Sequence, residues 1–133
     1  MRAKKCGHRD KNHLSITNAL QRAGYAVQDT SAVAGFVDAV ASAGPARTVI
    51  IEIKSGDDGR LTADALETLA KWPGYAGIVA TEEQALDLMR DPAKYGLTER
   101  YKGKLLLIAA QMRAKGQQTI TWSAFQKAME ESK

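Results

Sequence analysis

Three side chains of the kinds that carry out metal-dependent hydrolysis lie near the middle of the chain: Asp38, Glu52 and Lys54. Glu52 and Lys54 are two residues apart within the apolar stretch 48–54, and in a strand this spacing places both side chains on the same face. Asp38 interrupts the preceding apolar stretch, and a hairpin through residues 43–47 would bring it near Glu52. Two carboxylates suit Mg²⁺, which prefers oxygen ligands, and a neighbouring lysine can stabilise charge that develops on a phosphate. The alternative is a structural cluster in which Lys54 serves only as a counter-ion.

The elements that must position these residues follow from the hydrophobic pattern. Apolar residues recur at the spacing of one helix face over residues 12–23, which predicts a first helix. Asp10 or Asn12 can cap its start, and Gly24 can end it. The pattern then predicts three strands at residues 25–30, 36–42 and 48–54, followed by a loop at 55–60. A helix at 62–72, a short strand at 77–80 and a further helix at 81–90 come next.

Helices dominate the predicted last third of the chain. A helix over residues 98–114 is followed by a last helix, for which Ser123 and Gln126 form a capping box. The whole order predicts an α/β fold with a mixed central sheet flanked by helices, in which the three consecutive strands are neighbours. We expect a single domain over residues 1–133, made of a basic arm, a core and a C-terminal helical extension at 1–11, 12–90 and 91–133.

The positive charge is concentrated at the N-terminus. The net charge is +4, and residues 1–11 hold five basic residues against one acidic residue, so the remainder of the chain is balanced. A basic arm on a neutral body favours attraction to phosphate backbones, whereas the alternative is an ordinary solvated terminus. The candidate DNA contacts are Lys4, Lys5, Arg9, Lys11 and, in the predicted loop, Arg60.

Several classes of protein are disfavoured by what the sequence lacks. The single cysteine excludes an internal disulfide framework and a cysteine-rich zinc site. No apolar run is long enough for a membrane span, and the N-terminus has no secretory signal, so we expect a cytoplasmic protein of a bacterium or of a phage-infected cell. Phosphate cradles rich in glycine are absent, which argues against ATP binding.

The spacing of the three charged residues resembles that of a known family. Thirteen residues separate Asp38 from the segment Glu52-Ile53-Lys54. This arrangement is similar to the split motif of the PD-(D/E)XK nucleases. The likeness extends over about residues 8–90 to small phage and prophage nucleases of the VRR-Nuc and Holliday-junction-resolvase kind. It rests on the segments Arg9-Asp10-Lys11-Asn12, Gly35-Phe36-Val37-Asp38, Glu52-Ile53-Lys54-Ser55-Gly56, Leu61-Thr62, Trp72 and Thr81-Glu82-Glu83-Gln84-Ala85.

This resemblance implies a restriction-endonuclease-like αβββαβ core and a metal-dependent endonuclease that hydrolyses DNA phosphodiester bonds. It implies that Asp38, Glu52 and the carbonyl of Ile53 bind Mg²⁺ or Mn²⁺, and that Lys54 assists the attack of water. It also implies a homodimer, with branched DNA as a candidate substrate.

The chain departs from the family pattern at three positions. Val37 replaces the usual proline, and Ala65 stands where a glutamine is common. His13 stands where many relatives have a glutamate that binds metal or water, and its helical position predicts that it faces inward. His13 could be a metal ligand or a catalytic base, or it could be a buried structural histidine. The alternative function is therefore a catalytically degenerate nuclease fold that acts as a DNA-binding or protein-interaction module.

Overall fold

A four-stranded mixed sheet with helices on both faces forms the centre of the molecule. The computed structural model describes residues 12–44, 47–54 and 59–131. In chain order the elements are α1 (His13–Arg22), β1 (Ala26–Asp29), β2 (Ala39–Ser42), β3 (Thr48–Ile53), β4 (Arg60–Thr62), α2 (Ala63–Lys71), β5 (Tyr75–Val79), α3 (Glu82–Arg90), α4 (Pro92–Tyr95), α5 (Glu99–Ala114), β6 (Thr119–Thr121) and α6 (Trp122–Glu131). None of the helices in these ranges is long and apolar enough to cross a membrane.

The main sheet has the strand order β1-β2-β3-β5. β1 and β2 pair antiparallel, as do β2 and β3, with Ala39 opposite Ile51. β3 and β5 pair parallel, with Ile53 opposite Val79. The predicted α/β fold with a mixed sheet, in which three consecutive strands are neighbours, is confirmed. β3 is the most enclosed strand of this sheet, since all of its residues except Thr48 are buried.

Helices cover both faces of β3, which explains why this strand is an almost continuous apolar run. Ile51 points to one face, where α1 and α3 pack, and Ile50 points to the other, where α2 and α5 pack. We call these the α1 face and the α2 face. Each fully buried isoleucine or leucine stabilises the fold by about 1.5–3 kcal/mol. The α1 face buries Ile16, Leu20, Val49, Ile51, Ile53, Val79 and Leu88.

The first helix was predicted closely. It spans His13–Arg22, and its inward positions His13, Ile16 and Leu20 are buried. It ends before Gly24, whose φ of 100° lies in the left-handed region that favours glycine. Asn12, one of the two predicted caps, occupies the N-cap position, but its side chain makes no cap hydrogen bond. The other candidate cap, Asp10, lies outside the described residues.

The C-terminal third contains a strand that the sequence analysis missed. β4 and β6 form a separate two-stranded antiparallel sheet in which Leu61 is opposite Ile120. Each strand is only three residues long, too short for an alternating pattern to be recognised. Arg60 was predicted in a loop, and this prediction was wrong because it is the first residue of β4. The predicted Ser123 cap was also wrong, since α6 begins earlier and Thr121 accepts the hydrogen bond from the Ala124 N–H group.

The long helix α5 packs against α2 within one apolar cluster, and polar contacts add to this packing. Lys102 is buried, and its Nζ donates hydrogen bonds to the carbonyls of Trp72 at 2.7 Å and Gly74 at 3.2 Å. On the surface, Nη2 of Arg113 lies 2.8 Å from Oδ1 of Asp64 and 3.0 Å from Oε1 of Glu67. The predicted C-terminal extension is therefore joined to the core through α2.

The ion pairs between α2 and α5 predict a pH-dependent contribution to stability. The hydrogen bond from Arg113, with a further contribution from Lys71, lowers the pKa of Glu67 below its ordinary value of 4.5. A lowered pKa in the folded state means that the stabilisation is present above the ordinary value and is lost as the pH falls through the folded value. We expect Arg113→Gln to reduce the free energy of unfolding at neutral pH, by an amount that shrinks in acid. Urea unfolding across this pH range measures the difference, with the exposed Lys115→Gln as control. A difference that stays constant into acid would contradict this assignment.

Candidate active site

A buried pair of opposite charges lies on the α2 face of β3. Oε2 of Glu52 is 3.2 Å from Nζ of Lys54, and the two residues are only 5% and 6% exposed. Glu52 is opposite Ile78 of β5, and Lys54 directly follows the last residue of β3. Removing such charges from water costs several kcal/mol for each ion, so they persist only where partners hold them. The predicted placement of both side chains on one face is confirmed.

The position of Lys54 is set by strands on two sides. Its backbone N–H donates to the carbonyl of Val79 in β5 at 2.9 Å. Its Nζ donates to the carbonyl of Arg60 at the start of β4. Arg60 is opposite Thr121 of β6, so the small β4–β6 sheet fixes the carbonyl that accepts this hydrogen bond. A C-terminal strand thus supports a charged residue of the central strand.

Asp38 bonds to β3 on both sides of Glu52. Its backbone N–H donates to the carbonyl of Ile51 at 3.1 Å, and its Oδ2 accepts a hydrogen bond from the N–H of Ile53 at 2.8 Å. The carboxylate therefore takes the place that a backbone carbonyl of β2 would have in a continued ladder. This explains why β2 begins at Ala39, although the sequence predicted a strand from residue 36.

The carbonyl of Ile53 lies at the same edge of β3 as Asp38. The N–H and C=O groups of one strand residue point to the same side of the strand, and the N–H of Ile53 points to Asp38. The Asp38 carboxylate and the Ile53 carbonyl therefore lie at the same edge of β3, and Glu52 lies between the two residues that Asp38 contacts. The expected closeness of Asp38 to Glu52 along β3 agrees with these contacts, and the role of these oxygens in binding a metal ion stays a prediction.

His13 is buried on the other face of the sheet. It is 1% exposed, and its Nε2 lies 3.4 Å from Oδ2 of Asp29. Neither ring nitrogen has a hydrogen-bond partner within the described part of the chain. The inward orientation of His13 is confirmed, but the imidazole is beside Asp29 and its predicted catalytic or metal-binding role stays a prediction. Across residues 12–44, 47–54 and 59–131, no three His, Cys, Asp or Glu side chains are grouped to hold a metal ion.

Asn12 was expected to cap α1 and belongs to a segment that carries the family resemblance, but its bonds to the sheet were not predicted. Its Nδ2 donates to the carbonyl of Lys54 at 2.9 Å and to the carbonyl of Ala80. These bonds tie the start of α1 to the ends of β3 and β5. Oδ1 of Asn12 is buried, and none of the described residues bonds to it. A local pattern carries no signal for such contacts, because they join positions 42 and 68 residues apart.

The candidate DNA contacts have different outcomes. Lys4, Lys5, Arg9 and Lys11 lie outside the described residues. Arg60 is exposed, and its Nη1 lies 3.5 Å from Oγ1 of Thr119 in β6. The backbone carbonyl of Arg60 accepts a hydrogen bond from Lys54. The same residue therefore supports the buried pair and exposes a guanidinium group.

The buried pair predicts strong coupling between two substitutions. Glu52→Gln removes the carboxylate beside the Lys54 ammonium and should lower the free energy of unfolding by about 3–5 kcal/mol. The double variant Glu52→Gln with Lys54→Met removes both charges, so we expect it to recover most of that loss. Urea unfolding measures both, with Glu83→Gln as a control at an exposed carboxylate. A double variant as unstable as Glu52→Gln alone would show that the two charges are not coupled.

Comparison with protein-family models, curated proteins and solved structures finds no match to this chain.

Proposed function

We propose that this chain is a metal-dependent endonuclease that hydrolyses DNA phosphodiester bonds. The observation that carries the proposal is the buried Glu52–Lys54 pair at the end of the central strand, with Asp38 bonded to β3 on either side of Glu52. A purely apolar strand would be less costly to bury at this position. The cost is understandable if the charges act on a substrate.

The donor atoms at the end of β3 fit a hard cation. Asp38, Glu52 and the Ile53 carbonyl would hold Mg²⁺ or Mn²⁺ through oxygen, which both ions accept. Within the described residues, the Asp38 carboxylate accepts a hydrogen bond only at Oδ2, which leaves Oδ1 for a ligand. When bound, such an ion polarises a phosphoryl oxygen and makes a bound water a better nucleophile. Two carboxylates suffice because Mg²⁺ keeps several waters.

Lys54 supplies a positive group that is held in place before the substrate arrives. Glu52 and the Arg60 carbonyl fix its ammonium from two directions. An ammonium fixed in a water-poor site can orient the attacking water and stabilise negative charge on the phosphate without reorganising. The resemblance to PD-(D/E)XK nucleases supports this role for Lys54.

The arrangement of the elements supports the finer fold assignment. With the short β4 of the second sheet set aside, the order α1, β1, β2, β3, α2, β5 and the sheet order β1-β2-β3-β5 are consistent with a restriction-endonuclease-like αβββαβ core. DNA as the substrate rests on the resemblance and on the basic residues at 1–11. A homodimer, which would allow both strands of a branched or duplex DNA to be cut, is part of the same proposal.

One observation favours the alternative of a degenerate nuclease fold that binds DNA or another protein. His13 replaces the glutamate of the family pattern and is placed beside Asp29 on the α1 face, and Ala65 is buried within α2. A binding module of this kind would show salt-dependent affinity for DNA and would be indifferent to metal.

A cleavage assay on a panel of DNA structures separates the two functions. Linear, single-stranded, nicked and four-way-junction DNA are incubated with Mg²⁺, Mn²⁺ or EDTA. We expect metal-dependent cutting by the parent protein and a loss of at least about a hundredfold in Asp38→Asn, because that variant removes a negative ligand from the site. Asp38 is half-buried and asparagine keeps an oxygen that can accept the Ile53 hydrogen bond, so the variant should stay folded.

The controls make the outcome unambiguous. Glu83→Gln alters an exposed carboxylate on α3 and should cut like the parent. The double variant Glu52→Gln with Lys54→Met, in which neither charge is left buried without its partner, should lose cutting while it retains most of the affinity for DNA. If the parent cuts none of the substrates with either metal but binds DNA in EDTA, the degenerate fold replaces the nuclease.

A further inference from the structure

A cleft of about 470 Å³ lies at the outer edge of β5, between α3 and α6. Its volume falls in the range of sites that bind small molecules, roughly 300–1,000 Å³. The cleft is lined by the C-terminal half of β5 and by side chains from three helices, including Gln84, Tyr95, Trp122 and Gln126. Nothing in the proposed catalytic group uses these residues.

The backbone of Ile78 faces this cleft. Val79 accepts a hydrogen bond from Lys54 in β3, so by strand alternation the N–H and C=O groups of Ile78 point to the opposite, outer edge. No strand within the described ranges pairs with that edge. The N–H donor and the C=O acceptor of Ile78 therefore lie side by side at this edge. The edge of a nucleobase also has donors and acceptors side by side, so it can pair with both groups.

The backbone groups on either side of Ile78 at this edge are already hydrogen-bonded, which leaves too few open groups to pair with another strand. The carbonyl of Ala76 accepts a hydrogen bond from the N–H of Leu97 at 2.8 Å. The N–H of Ala80 donates to Oε1 of Gln84 at 2.7 Å. Gly96 permits this closure, since a Cβ there would lie 2.5 Å from the carbonyl oxygen of Pro92. An added strand needs a row of open backbone groups, so the edge favours a compact ligand over an extended peptide.

Aromatic and amide side chains surround the exposed backbone. Trp122 is held by stacking on the fully buried Phe125, with ring centroids 5.4 Å apart. Tyr95 is 49% exposed, and Nζ of Lys94 is 5.2 Å from its ring centroid. Gln126 is exposed and has no hydrogen bond to the described residues, so its amide can bond a ligand. Asp87 also lines the cleft, and its Oδ1 lies 3.2 Å from Nη1 of Arg90, which offsets its charge. Rings for stacking and an amide are groups that bind the bases of unpaired nucleotides.

The cleft lies at the same end of the sheet as the proposed catalytic group. Ile78 is the β-sheet partner of Glu52, so the cleft is on the strand next to Glu52, and β3 and β5 lie between it and Asp38. We propose that the cleft binds an unstacked base of the DNA substrate next to the scissile phosphate, which makes DNA with unpaired nucleotides the preferred substrate class. This inference rests on the proposed nuclease function for its substrate, but the base site itself can be tested without cutting.

The test measures binding in EDTA, where a metal-dependent nuclease cannot cut. Fluorescence anisotropy follows a short fluorescein-labelled single-stranded oligonucleotide and a duplex of the same length. Tyr95→Ala and Gln126→Ala should each weaken binding of the single strand about fivefold or more, the effect of losing one base contact, and should change duplex binding little. Tyr75→Ala is the matched control, because Tyr75 is a similarly exposed tyrosine on β5 that does not line the cleft.

The outcomes separate this inference from the proposed function. Selective loss of single-strand binding in both variants supports the base site even if the parent cuts no DNA with Mg²⁺ or Mn²⁺. Single-strand binding that is unchanged in both variants overturns the base site, even if the parent cuts DNA. Equal loss of single-strand and duplex binding in the two variants would also overturn it, because the cleft would then not distinguish unpaired bases.

Discussion

The burial of Glu52 beside Lys54 on the most enclosed strand is the constraint on which the rest of the structure depends. Helices cover both faces of β3, so an unpaired charge there would cost far more than a single mutation usually does. Polar contacts from several parts of the chain surround this part of β3. Asp38 bonds to the strand on either side of Glu52, and the Arg60 carbonyl accepts a hydrogen bond from Lys54. The Arg60 carbonyl thus stabilises the Lys54 ammonium directly, whereas Asp38 fixes the backbone of β3 around Glu52.

The distant parts of the chain are organised around this pair. β6 belongs to the C-terminal third of the chain, yet it pairs with β4 and so fixes the Arg60 carbonyl. Asn12 performs a similar role at the other end of the sequence, where its amide joins the start of α1 to the ends of β3 and β5. The site is therefore supported by the first helix and by the last strand together. We expect such distributed support to keep Lys54 and Asp38 rigid.

The parts of the fold that were predictable are those with a local period. Ile16 and Leu20 marked a helix face, and the alternation around Glu52 and Lys54 placed both on one side of a strand. Three features depend on contacts between distant positions and were missed: the shortened start of β2, the β4–β6 pair and the bonds of Asn12. The first has a definite cause, because the Asp38 side chain occupies the hydrogen bond that would have continued the ladder. His13 illustrates the remaining difficulty: its burial followed from periodicity, but its neighbour Asp29 follows only from the packing of α1 against β1.

The central claim is that Asp38 and Glu52 form a cation site beside Lys54, and a direct binding measurement tests it most simply. Isothermal titration calorimetry with Mn²⁺ is carried out on the parent chain, on Asp38→Asn and on Glu83→Gln. The account predicts binding to the parent and to Glu83→Gln, and an affinity lower by at least about tenfold in Asp38→Asn, as is usual when a metal site loses a supporting group. Equal affinity in all three proteins, or no binding to the parent, would contradict it and would leave the buried pair as a structural feature alone.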